Sequence, residues 1–212
     1  MADLDTDVQL RRPYAPRMGS EERREQLLDA VLRVIVERGV HKVSIESVAS
    51  EAGVTRPVVY KHFGDSADLL NASLRREEAR ALAQCSAAVT VSESVRGSSS
   101  IALVVYGNLL RMFEDSPDLW RAVLQLADSA TPAFRRTVER GREEAATRLA
   151  EVLRAHAADR GPEADRLDVD VHARMMVALV IESGRLLLSR PEEYTRERLV
   201  AAAGSVVDKA TQ

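Results

Sequence analysis

At 212 residues the chain is long enough for one large or two small domains with a sizeable core. Its single cysteine, Cys85, excludes an intramolecular disulfide framework, and its longest apolar run, Met175 to Ile181, falls far short of the ~18 residues that span a bilayer. The formal net charge of −3 excludes a globally basic field, yet residues 9–63 hold ten Lys or Arg against seven Asp or Glu, which biases that end toward phosphate.

The chain opens with acidic and polar residues rather than an export signal, so a cytoplasmic protein without membrane contact is expected. Residues 1–19 mix Asp, Pro and Arg without periodicity and read as a disordered arm. There Arg11, Arg12 and Arg17 either form a solvated tail or brush a minor groove. Ser20 is placed to cap the first helix, Glu21 and Glu22 suit its positive end, and Leu27, Val31, Val34 and Ile35 form its buried stripe up to Arg38-Gly39.

Residues 44–63 are the stretch around which the rest is organised. Ser44 can cap a short helix in which Ile45, Val48, Ala49 and Ala52 recur at the spacing of one buried face. Gly53 ends it, because glycine reaches the left-handed conformation without steric cost. Thr55 is a second N-cap and Pro57 falls in a first turn, where its missing N–H has no intrahelical partner to lose. Val59 and Phe63 then face the core and leave Arg56, Pro57, Tyr60 and Lys61 outward, a helix-turn-helix pattern suited to a major groove.

The string Val-Ala-Ser-Glu-Ala-Gly-Val-Thr-Arg-Pro-Val-Val-Tyr-Lys-His-Phe, Val48 to Phe63, is followed by a helix with Leu69 and Leu70. Over about residues 20 to 75 the chain resembles the DNA-binding domain of the TetR family of bacterial one-component regulators. The resemblance implies a recognition helix whose Thr55, Arg56, Pro57, Tyr60, Lys61 and His62 face a double-stranded DNA operator, with Ser44 on a phosphate. It also implies a homodimer. Two positions depart from the pattern: Ser66 stands where many relatives carry Lys, and Glu46 where some carry Arg. The first removes a phosphate charge and the second puts base reading there in doubt.

Asp65 is expected to cap a long helix to about Ala88, with Leu69, Leu70, Ser73, Leu74 and Leu82 among its positions; by resemblance this helix is a lever between ligand and DNA. Residues 92–100 read as a flexible connection. Helices follow at about 100–114, 119–127, 132–157, 170–189 and 192–210, with a loop at 158–168 and a split at Arg190-Pro191. The expected fold is all-α: an arm (1–19), a three-helix DNA-binding domain (20–65), and a larger helical domain for ligand binding and dimerisation (66–212).

Seven consecutive apolar residues at 175–181 cover a whole helix circumference, so that helix must be buried on more than one side. A two-fold, four-helix interface through Leu179, Val180, Ala202 and Val206 is inferred. Tyr106, Leu110, Phe113, Trp120, Leu124, Phe134 and Met176 either line an apolar pocket for a small-molecule effector or pack as plain core. Asp168, Asp170 and His172 allow a metal site, but capping chemistry accounts for acidic residues at a helix start, and neither metal nor cofactor is assigned. Cys85 reads as a packing residue, with a redox role as the alternative.

No phosphate-binding Gly-rich loop, nucleophile elbow or paired zinc cysteines occur, and His41, His62 and His156 have no neighbouring Ser or Cys, so no enzyme is expected. The expectation is a transcriptional regulator, a repressor released from a pseudo-palindromic operator by a small molecule. The alternative is a DNA-binding regulator without such a ligand, architectural, protein-responsive or activating.

Overall fold

A computed structural model describes residues 18–90, 101–128, 131–158 and 168–210. Among them there is no strand, and none of the helices is long and apolar enough to cross a membrane. The helices are α1 (Ser20–Arg38), α2 (Ile45–Glu51), α3 (Arg56–Tyr60), α4 (Ser66–Val89), α5 (Ile101–Asp115), α6 (Pro117–Ala127), α7 (Pro132–Ala158), α8 (Val169–Ser189) and α9 (Arg196–Ala210). A 3-10 turn at Val40–Lys42 joins α1 to α2. The expected arm lies outside the described residues up to residue 17, as do the connection at 92–100 and most of the loop at 158–168.

Local chemistry accounts for most boundaries. Gly19 is the N-cap of α1, one residue before the expected Ser20, and its N–H donates to Glu22 at 3.3 Å. Gly39, at φ 87°, carries the chain out of that helix. Helix α6 begins at Pro117 rather than at residue 119, since Ser116 takes the N-cap position and Pro117 the first turn. Helix α9 begins at Arg196 rather than at residue 192. The proline at 191 starts a turn instead, in which the Glu193 and Tyr194 N–H groups donate to the Arg190 carbonyl. The Thr195 hydroxyl then accepts from the Arg198 N–H at 3.3 Å.

Two apolar cores result. The first joins Leu27, Leu28, Val31, Val34 and Ile35 of α1 to Ile45 and Val48 of α2, Val59 of α3, Phe63, and Leu69 and Ala72 of α4. The second is built on α5, which packs against α4, α8 and α9. Helix α4 feeds both cores, and α6 bridges them: Ala122 lies in the first while Leu119, Trp120 and Leu124 lie in the second.

The α5–α8 contact is close. The buried Tyr106 hydroxyl and Ser183 Oγ share a hydrogen bond of 2.7 Å, which satisfies two polar groups inside the core. One residue on, Gly184 lets the Phe113 ring approach so near that a Cβ there would lie 2.2 Å from it. Phe113 cannot yield easily, being 1% exposed and tilted against Trp120 at 4.9 Å between ring centroids. Helix α8 is indeed apolar on both sides, but Val180 is 4% exposed within its own core, which corrects its assignment to an interface between chains. Leu179 (48% exposed), Met175 (64%) and Val171 (47%) stand on the other side, four residues apart.

Gly184→Ala is expected to lower stability by about 1–3 kcal/mol through overpacking against Phe113, read as a fall in the urea midpoint with an unchanged slope. An unchanged midpoint would mean that α5 and α8 separate without cost.

Candidate functional site

The helix-turn-helix is braced from behind. Ser44 caps α2 by accepting from the Ser47 N–H at 3.0 Å, while Ser47 Oγ accepts from the Ser44 N–H at 2.9 Å. Gly53, at φ 64°, turns the corner, and the Val54 N–H returns to the Ala49 carbonyl. Glu51 accepts from Arg33 and Arg38 of α1. Arg24 lies 5.2 Å above the Phe63 ring. Ser66 Oγ accepts from the Ile45 N–H at 3.3 Å, so the residue that departs from the family pattern ties the start of α4 to the start of α2.

Thr55, Arg56, Pro57, Tyr60 and Lys61 are all exposed on the opposite side. Thr55 holds the N-cap position of α3, but its side chain makes no capping bond, unlike Ser44. Tyr60 is 57% exposed, an unusual position for an aromatic ring that serves no core. His62 is half-buried, its ring tilted on Phe63 at 6.5 Å, and Ser44 is half-buried. Sequence reasoning did not foresee that Glu46 and Arg56 meet: Arg56 Nη2 donates to Glu46 Oε1 at 2.5 Å.

Between the two cores sits an ion cluster on α4. Arg76, 15% exposed, donates to Glu25 (2.7 Å) and Asp29 (2.8 Å) of α1 and to its neighbour Glu77. Burial works against the Arg76 charge, but hydrogen bonds with Glu25 and Glu77 and the charges of Glu77 and Asp29 outweigh it and hold its pKa above the usual value. Glu77, also paired with Arg80, is buried and faces a cavity.

That cavity, of about 350 Å³, lies among α4, α5, α6, α7 and α8. Its interior is apolar, with Leu82, Val89, Leu109, Phe113, Trp120, Leu124 and Ile181; Asn71, Arg75, Glu78, Thr137 and Arg142 supply polar groups. Of the residues expected to line a pocket, Phe113, Trp120, Leu124 and Phe134 do so. Tyr106, Leu110 and Met176 do not: Tyr106 turns to Ser183, Leu110 is fully buried in the second core, and Met176 packs against that core beside Val177, which takes the cavity position. Arg142 was not foreseen. It pairs with Glu139 at 3.6 Å, while its Nε is buried without a hydrogen-bond partner among the described residues.

Trp120 Nε1 donates to Gln84 Oε1 (2.8 Å) and Gln84 Nε2 to Ser116 (2.7 Å), which ties the cavity wall to α4. Cys85 also lines the cavity; burial pushes its thiol up to about 11, Arg148 opposing and Glu144 reinforcing the shift. The residues considered for a metal are spent otherwise. Asp168 caps α8 through the Val171 N–H, Asp170 pairs with Arg154, and His172 Nδ1 lies 3.0 Å from the Asp168 carbonyl.

An exposed, aromatic and basic second helix, held rigidly by three others, defines a helix-turn-helix DNA-binding domain. Residues 27–73 match the family described as bacterial regulatory proteins, tetR family, so this segment of the chain is a TetR-type DNA-binding domain. Over 60 residues it is 43% identical to the transcriptional activator FasR of Mycolicibacterium smegmatis, a match covering 28% of this chain and 27% of that one. The chain spans about a quarter of the length of the curated relatives it matches. A solved TetR-family regulator from Rhodococcus sp. superposes with a TM-score of 0.59 at 29% identity, over 88% of this chain and 98% of that one. A transcriptional regulator from Saccharomonospora viridis in complex with choline gives 0.65 at 21% identity, over 89% and 96%, a likeness of fold alone.

Because folding favours the neutral Cys85 thiol, its contribution to stability is complete below the usual thiol range and is lost as the pH rises through about 11. Alkylation by iodoacetamide at pH 8 is expected to be at least about tenfold slower in native protein than in urea, and to accelerate toward pH 11. Equal rates in both states at pH 8 would mean an accessible, reactive thiol.

Proposed function

We propose that the protein is a homodimeric transcriptional regulator that binds a pseudo-palindromic operator through α2 and α3 and is released by a small molecule entering the cavity. The observation that carries the reading is α4. It lends Leu69 and Ala72 to the core of the DNA-binding unit and Leu82, Cys85 and Val89 to the cavity wall, so what fills the cavity acts on the element that holds α3. Arg56 reads a guanine edge, Lys61 and Tyr60 engage phosphates, Thr55, Pro57 and His62 complete the DNA face, and Ser44 lies on a phosphate.

The dimer is proposed on α8 and α9. Val171, Met175 and Leu179 form an exposed apolar stripe of the kind that marks an interface, and Ala202 is exposed on α9. The side chain of Val206 lies outside the described residues. Two-fold symmetry then calls for half-sites about one or more helical turns apart. The effector is mostly apolar, and an acceptor on it would satisfy the Arg142 Nε. That a similar fold is described with choline bound supports a ligand, whereas FasR is described as an activator, so repression rests on the lever reading alone.

Selection of bound duplexes from a random pool at ~0.15 M salt is expected to enrich an inverted repeat. No enrichment from folded protein would refute the reading. On the selected site, Lys61→Ala is expected to weaken binding on all sequences alike and to flatten the salt slope by about 1 for each phosphate left unneutralised, doubled in a dimer. An unchanged slope would remove Lys61 from the groups that meet phosphate.

Trp120 is the sole tryptophan and lines the cavity, so effector binding should shift its emission. Gly141 also lines the cavity, and a Cβ there would meet nothing within 4 Å. Gly141→Leu is expected to retain operator binding while losing release by the effector, measured by anisotropy of labelled operator. Full release in the variant would place the effector elsewhere.

A further inference from the structure

We infer that Glu46 is a positioning residue that sets DNA specificity: its carboxylate fixes the Arg56 guanidinium for one base edge, so the pair rather than Arg56 alone decides which base is preferred. The inference rests on the DNA-binding reading proposed above. Arg56 opens α3 and Glu46 lies in the first turn of α2, and they meet at 2.5 Å across the groove-facing side of the motif. Their side chains are 60% and 73% exposed.

The pair has little to do for the fold. An ion pair this exposed contributes little stability, and α2 and α3 are already joined through Val48, Val59 and the return from Val54 to Ala49. Nor does a carboxylate suit a surface that meets phosphates, since it opposes the charge that non-specific binding uses. What it does suit is a guanidinium. Arg has five donors in a rigid plane, so holding one Nη against Glu46 leaves the remaining donors of a pre-oriented fork for the O6 and N7 acceptors of guanine. The same carboxylate denies Arg56 to a phosphate, turning a side chain that binds any sequence into one that discriminates.

The experiment uses the whole chain as wild type, Glu46→Gln, Glu46→Ala, Arg56→Ala and the Glu46→Ala/Arg56→Ala double variant. Each is put through duplex selection and then titrated against the enriched site and its single-base variants at ~0.15 M salt. With Glu46 replaced, binding to random DNA is expected to hold or tighten, while preference for guanine at one position per half-site falls about tenfold. In the Arg56→Ala background the Glu46 substitution is expected to change base preference no further, because its effect runs through Arg56. Uniformly tighter binding with unchanged preference would overturn the inference and leave Glu46 a repulsive charge. A loss of cytosine preference that persists in the Arg56→Ala background would overturn it in favour of direct reading of a cytosine amine by Glu46. If wild-type protein selects no motif, the DNA-binding reading itself fails; a wild-type motif that survives Glu46 replacement intact refutes the positioning role alone.

Discussion

One helix has to satisfy two cores. Helix α4 runs for 24 residues, roughly 36 Å as an unbroken helix, with Leu69 and Ala72 sealed among α1, α2 and Phe63 at one end and Val89 against α5 at the other. It carries neither glycine nor proline, the residues at which helices most often kink. The Arg76 cluster sits between these ends and clamps α4 to α1 with two carboxylates of that helix. Helix α4 therefore joins the two cores as one continuous helix rather than as a linker.

Where a side chain's role followed from its own element, the sequence was readable. The helix periods, the glycine corners at Gly39 and Gly53 and the capping of α2 by Ser44 are all local, and they fixed the three-helix unit and which side of it is outward. Where a role depends on what arrives from another helix, it was not. Leu110 and Leu124 look alike in sequence, but α6 turns Leu124 into the cavity while Leu110 lies on the packed side of its own helix, α5. Val180 and Leu179 are adjacent and equally apolar; a helix turns by about 100° per residue, which sends one inward and leaves the other in the open.

Charged pairs were hidden for a related reason. Glu46 and Arg56 are ten residues apart, and Arg76 and Glu25 are 51 apart, separations at which no helical spacing rule operates. Glu77 is buried between Arg76 and Arg80, which both donate to it, and a buried carboxylate requires such compensating cations.

The outward side of α3 holds nothing up. Thr55, Arg56, Pro57, Tyr60 and Lys61 lend no side chain to either core, and the helix is anchored by Val59 together with the flanking Val54 and Phe63. The residues proposed to meet DNA and those that hold the fold are thus separate within one short segment. Such a separation lets a lineage exchange its operator vocabulary residue by residue without passing through unfolded intermediates, and it lets gene duplicates part company in what they read while keeping one architecture.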